Sequence, residues 1–292
     1  MTDYIVRATA ADGLIRAYAA VTTKMVGDAA SIHNLSPVAS AALGRTMTAA
    51  AMMSKMKLAS EDNAMTIQIR GDGPLGGIVV ASDYEANVRG YVYNPEVDPF
   101  LNEEGKLDVG RAVGKHGYMN VIMDLGMKEP YIGFVELMSG EIGDDIAYYF
   151  AKSEQTPSVV ALGVLVDKDG SIINAGGYII QLMPGAGEDI IDYLESKSAS
   201  TAPVTALLSD NKSPEDILEM ILGEKDLKIA DKSGCGFVCN CSRERMERNL
   251  ISLGREELMD IIEEQHGAEL QCHFCNKKYL FSEQELRNLL EQ

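Results

Sequence analysis

Five cysteines, Cys235, Cys239, Cys241, Cys272 and Cys275, stand close together near the C-terminal end, and no cysteine precedes Cys235. Thiols grouped in this way bind a metal or exchange electrons. Cys272-His-Phe-Cys275 has the knuckle spacing that presents two thiolates to one tetrahedral ion, while Cys235, Cys239 and Cys241 offer a second pair. Both Cys235-x-x-x-Cys239 and Cys239-x-Cys241 are within chelate spacing, so the residues alone leave that pair open. His273 is the weaker candidate, because the two thiolates flanking it fill the role more naturally.

Zinc is the expected metal. The stretch between Cys241 and Cys272 reads as two short helices separated by Gly254. Closing that loop costs on the order of 3 kcal/mol. Structural zinc contributes roughly 10–16 kcal/mol, far more than the ~3–5 kcal/mol a core of this size supplies by itself. Without metal this end of the chain should be close to unfolded. The same thiolates are also what an oxidant attacks: a sulfenic acid at one sulfur condenses with a nearby thiol to a disulfide and removes a ligand. A structural zinc module and a redox switch therefore share one spacing. A thioredoxin-like oxidoreductase would need the Cys272/Cys275 pair to open a helix in a βαβ setting, which the surrounding sequence lacks.

The elements that must carry these thiols fall into three stretches. Residues 1–183 predict an α+β domain of mainly antiparallel sheets. It opens with two strands turning at Asp12-Gly13 and continues into a helix begun by Ser36 and Pro37. That helix is rich in Ala and Met on most faces, as a buried central helix should be. AMTIQIR alternates as a half-buried strand, and a long hairpin turns at Lys168-Asp169-Gly170. Residues 184–234 read as a helical linker of short segments, one of them started by Ser213, Pro214 and Asp216, which must dock on a neighbour to be stable. Residues 235–292 form the zinc-binding unit.

Composition excludes several classes. A net charge of −18 opposes phosphate binding, and from Cys235 onward seven basic residues face eleven acidic ones, so no nucleic-acid partner is expected. No apolar run reaches the ~18 residues of a membrane span, and MTDYIVRATAADG does not read as a signal peptide, so a cytosolic protein with reduced thiols is expected. Gly71, Gly73 and Gly76 stand in a G-x-G-x-x-G arrangement, but a strand-like IVVAS follows where a dinucleotide site needs a helix; a hairpin connection is predicted. Asp144 and Asp145 point ~100° apart on a helix and read as a solvated or helix-start pair. His33 and His116 have no ligand context, and His266 sits near a helix end. No catalytic arrangement stands out.

Longer stretches extend the cysteine pattern. Cys239-Asn-Cys241, the long gap to Cys272 and CHFCNKKYLFSEQEL occur together with ASAALGRTMTAA, GDGPLGGIVV, NEEGKLDVGRAVG, SGEIGDDIAYYFAKSEQTPS and AGGYIIQLMPG upstream. In these segments the chain resembles the heat shock protein 33 family of redox-regulated chaperones along essentially its whole length. The resemblance implies a bacterial cytosolic holdase, not an enzyme, that is inactive while reduced and zinc-loaded. It implies Cys239, Cys241, Cys272 and Cys275 as zinc ligands and Cys239–Cys241 and Cys272–Cys275 as disulfides formed under oxidative stress, with zinc release and unfolding of the linker. Its partners would be unfolding client proteins, held without ATP by a chain that is often dimeric when oxidised. Cys235 is a fifth thiol, whereas the family's switch needs four.

Overall fold

Left-handed backbone at Ala11, Asp12 and Gly13 turns β1 (Tyr4–Ala10) back into β2 (Ile15–Val21), as the Asp-Gly pair predicts, in the computed structural model, which describes residues 2–290. Helices α1 (Thr23–His33) and α2 (Pro37–Lys57) follow. Ser36 takes the extended N-cap conformation, but its hydroxyl accepts from the Val97 amide at 3.3 Å instead of capping the helix. α2 is buried on nearly every face, which explains why its Ala and Met residues show no polar stripe.

Three strands come next, β3 (Ala64–Gly71), β4 (Ile78–Asp83) and β5 (Asn87–Val92). The glycine-rich stretch links β3 to β4, so it is a hairpin connection. A Cβ at Gly73 would lie 2.4 Å from the Ala112 carbonyl oxygen, so close backbone approach requires glycine there. Helix α3 (Val109–Val113) leads to β6 (Gly117–Asp124) and β7 (Tyr131–Glu136), then to α4 (Gly143–Lys152). Both Asp144 and Asp145 lie in the first turn of α4, but only Asp144 is solvated. Asp145 is fully buried because its carboxylate accepts the Met138 and Ser139 amides at 2.7 and 3.2 Å. β8 (Ser158–Val166) and β9 (Ile172–Leu182) form the long hairpin, with Gly170 at φ 87° in its turn.

Helices α5 (Glu188–Ser200), α6 (Val204–Ser209) and α7 (Pro214–Leu222) then precede β10 (Lys228–Gly234) and the two-residue β11 (Gly236–Phe237). One sheet has the order β10-β1-β2-β9-β8 and the other β11-β5-β4-β3-β6-β7, antiparallel throughout except for β11 beside β5. Side chains from both sheets pack on α2 in the main core. On the opposite face of the first sheet, Val6, Ala8, Ala17, Ala19 and Ile180 meet Ile190, Leu194, Leu207, Ile217, Leu218 and Ile221 from α5–α7. Burial at these contacts stabilises helices too short to persist alone.

The chain divides into two compact units between Val238 and Cys239. Residues 235–238, grouped with the cysteine-rich end in the sequence, belong to the larger unit because β11 and Val238 bond to β5. The strand β10 carries no apolar alternation, which is why KIADKSG does not announce itself. The smaller unit contains α8 (Arg243–Ser252), α9 (Arg255–Gln265), the hairpin of β12 (Gly267–Gln271) and β13 (Lys278–Ser282), and α10 (Glu283–Leu289).

Candidate metal centre

The turn between β12 and β13 is built by the backbone of Cys272. Its carbonyl accepts from the Asn276 amide at 2.8 Å, and its amide donates to the Lys277 carbonyl at 3.0 Å. Asn276 adopts a left-handed φ of 58°, which short polar side chains tolerate. This tight turn holds the Cys272 and Cys275 thiols together. Cys239 and Cys241 arrive from the segment before α8, whose N-cap Ser242 accepts from the Arg245 amide at 3.3 Å. The adjacent Arg243 fastens that segment to the hairpin. Its guanidinium donates to the Leu280 carbonyl at 2.9 Å, pairs with Glu285 at 2.7 Å and lies 4.2 Å from the Phe281 ring centroid. Met246, Leu250, Leu258, Ile262, Tyr279, Phe281 and Leu286 supply a small core beneath.

The four sulfurs converge. Cys239 Sγ is 3.7 Å from Cys272 Sγ, Cys241 Sγ is 3.4 Å from Cys275 Sγ, and all four lie within 4.8 Å of one another. Tetrahedral zinc with Zn–S bonds of about 2.3 Å sets its sulfurs ~3.8 Å apart, so the cluster has the right size for one ion. An all-thiolate donor set suits a soft or borderline metal and not a hard one.

The thiols are not equivalent. Burial pushes Cys239 and Cys275 upward in pKa. Burial also opposes ionisation of Cys241, but a hydrogen bond from the Tyr279 hydroxyl at 3.2 Å, followed by those from Cys275, Cys239 and Cys272, outweighs it and brings the thiol down to about 7.

Residues 3–282 match the family model described as Hsp33 protein. The chain belongs to the Hsp33 family. Within the curated Hsp33 relatives, the 33 kDa chaperonin of Acetivibrio thermocellus is 60% identical over 291 residues, covering 100% of this chain and 98% of the relative. The 33 kDa chaperonin of Ruminiclostridium cellulolyticum is 59% identical over 292 residues, at 100% and 99% coverage. The solved structure of the Thermotoga maritima 33 kDa chaperonin, a heat shock protein 33 homologue, superposes with a TM-score of 0.91 at 37% identity, covering 100% of this chain and 98% of that one.

Cys235 stands outside the sulfur group. It lies between β10 and β11 and packs against the main core, its amide donating to the Asp3 carbonyl at 3.4 Å and its Sγ facing the Val21 carbonyl at 3.9 Å. Burial, reinforced by the Asp3 charge, pushes this thiol up to about 12. His273 is not among the grouped ligands either. Tyr279 is the partner that cysteine spacing does not reveal. Its signal was the alternation of β13, which turns Tyr279 and Phe281 inward and Lys278, Leu280 and Ser282 outward.

Proposed function

We propose that this chain is a redox-regulated, ATP-independent holdase that keeps unfolding proteins from aggregating under oxidative stress. Family membership supports chaperone activity, and the convergence of Cys239, Cys241, Cys272 and Cys275 within 4.8 Å is the observation that carries the redox part. Zinc bound there holds the thiolates deprotonated and supplies the folding energy that the small core lacks.

In the resting state the four cysteines are reduced and the chaperone is inactive. Oxidation joins Cys239 to Cys241 and Cys272 to Cys275. Each pair of thiols gives two electrons and two protons to one peroxide, which leaves as two waters as the S–S bond forms. Sulfurs bonded to each other no longer ligate, so the small unit loses its metal and unfolds. The linker helices then leave the first sheet and uncover the apolar face formed by Val6, Ala17, Ala19 and Ile180. That face accepts apolar segments of clients, and the oxidised chain works as a homodimer. Thiols that rest reduced suit a protein that works in the cytosol.

The test compares reduced, zinc-loaded protein with protein treated with peroxide at elevated temperature, using aggregation of a heat-denatured enzyme as the readout. Suppression by the oxidised form alone, without ATP, is the expected result. Equal suppression by both forms would make the cluster a constitutive structural module.

A further inference from the structure

Helix α7 buries Ile217, Leu218, Ile221 and Leu222 against the first sheet, and Ser213 and Asp216 close its N-terminus with a capping box. Glu215 in the same turn takes no part in the cap. Its Oε2 accepts from the Tyr4 hydroxyl of β1 at 2.7 Å, and its Oε1 pairs with Lys232 of β10. One carboxylate thus joins a linker helix to two strands. Lys232 stands opposite Val6 in the ladder, and Val6 belongs to the apolar cluster that α5–α7 cover.

The strand that carries Lys232 is otherwise lightly held. β10 is the edge of its sheet, its side chains are exposed but for the half-buried Ser233, and its register with β1 slips between Arg7 and Ala8. After Gly234 the chain is held by the Cys235 amide on Asp3, by the packing of Cys235 and Phe237 on the main core and by the short pairing of β11 and Val238 with β5, and Cys239 comes seven residues after Lys232. Segments with few buried contacts open first.

We propose that the Glu215–Lys232 pair is an autoinhibitory latch, through which the peeling of β10 from β1 releases α7 and with it the linker. This rests on the redox-holdase reading for its trigger. Unfolding of the cysteine unit frees the chain at Cys239, fraying runs back through β11 into β10, and departure of Lys232 leaves the half-buried Glu215 with its charge uncompensated. Tyr4 alone then holds it, and the helix no longer gains from keeping it there. Glu215 and Lys232 are positioning residues, since neither touches the metal ligands.

The test uses the full-length, reduced, zinc-loaded protein with Glu215→Gln, Lys232→Met and the double substitution. Native-state proteolysis reports the open population of a segment. Cleavage within residues 184–227 should rise about three- to tenfold in each single variant, as fits a pair with one half-exposed partner. The double variant should rise no further, zinc content should stay full, and aggregation suppression should appear without oxidant. Added salt should raise wild-type linker cleavage and leave Glu215→Gln unmoved. Unchanged linker cleavage, or cleavage spread through residues 2–183, overturns the latch. If linker cleavage rises as expected while oxidised wild-type protein fails to suppress aggregation, the latch stands and the redox-holdase reading falls.

Discussion

The Tyr279 hydroxyl donates a hydrogen bond to Cys241 Sγ at 3.2 Å, so a phenol on the hairpin steadies a sulfur from the other side of the cluster. A donor to a ligating thiolate spreads its charge and fixes its orientation, and such partners are worth ~10–100-fold in metal affinity. Tyr279→Phe should therefore bind zinc about tenfold more weakly, measured by competition with a chromogenic chelator. Unaltered affinity would reduce the contact to packing.

Cys235 and Cys239 are near neighbours in sequence and belong to different compact units. With its thiol pushed up to about 12, Cys235 is almost wholly protonated at pH 8, where an ordinary cysteine is partly thiolate. In reduced protein stripped of metal by a chelator, iodoacetamide should modify Cys241, whose thiol is brought down to about 7, at least about tenfold faster than Cys235. Cys235→Ser should keep full zinc and oxidative activation, whereas Cys241→Ser should lose most of its zinc. The reverse pattern of zinc loss would put Cys235 among the ligands.

Much of this was legible because local chemistry set it. The Asp12-Gly13 turn, the Ala- and Met-rich buried α2 and the hairpin reading of the glycine-rich stretch each follow from residue type alone. So does the Cys272-x-x-Cys275 pair, whereas spacing leaves open whether Cys235 or Cys241 joins Cys239, and only the family resemblance names Cys241. What escaped depends on contacts between distant residues. KIADKSG becomes β10 because β1 offers it an edge, not because it has strand character. Asp145 is buried by amides of Met138 and Ser139 that no helical periodicity foretells. The place of Cys235 is decided by Asp3 and Val21, which lie at the opposite end of the sequence.

Metal removal should act on one unit first. The smaller unit relies on a limited core around Leu250, Ile262 and Phe281, while the larger one has two sheets packed on α2. Chelation of the reduced full-length protein should erase hydrogen-exchange protection in 243–289 and leave strands β2, β3 and β9 protected. Retained protection in 243–289 would show that the small core folds without an ion.

Acid should loosen the docking of α7. Burial raises the Glu215 pKa, but hydrogen bonds from Lys232 and Tyr4 outweigh it and leave the carboxyl below the ordinary glutamate range. Lys232 on β10, Tyr4 on β1 and Asp216 on its own helix are the charged or titratable groups around it. A depressed folded pKa means that the ionised latch contributes fully above the unfolded value of about 4.3 and is lost as pH falls through the folded value. Hydrogen exchange in 214–222, corrected for intrinsic rates, should therefore be slower in reduced wild-type protein than in Glu215→Gln at pH 7. The two should converge as pH falls through the depressed folded pKa of Glu215, below the ordinary glutamate range, once the wild-type carboxyl is protonated and resembles the amide. A gap that persists unchanged into acid would mean that the substitution perturbs packing, and that the charge on Glu215 does not hold the helix.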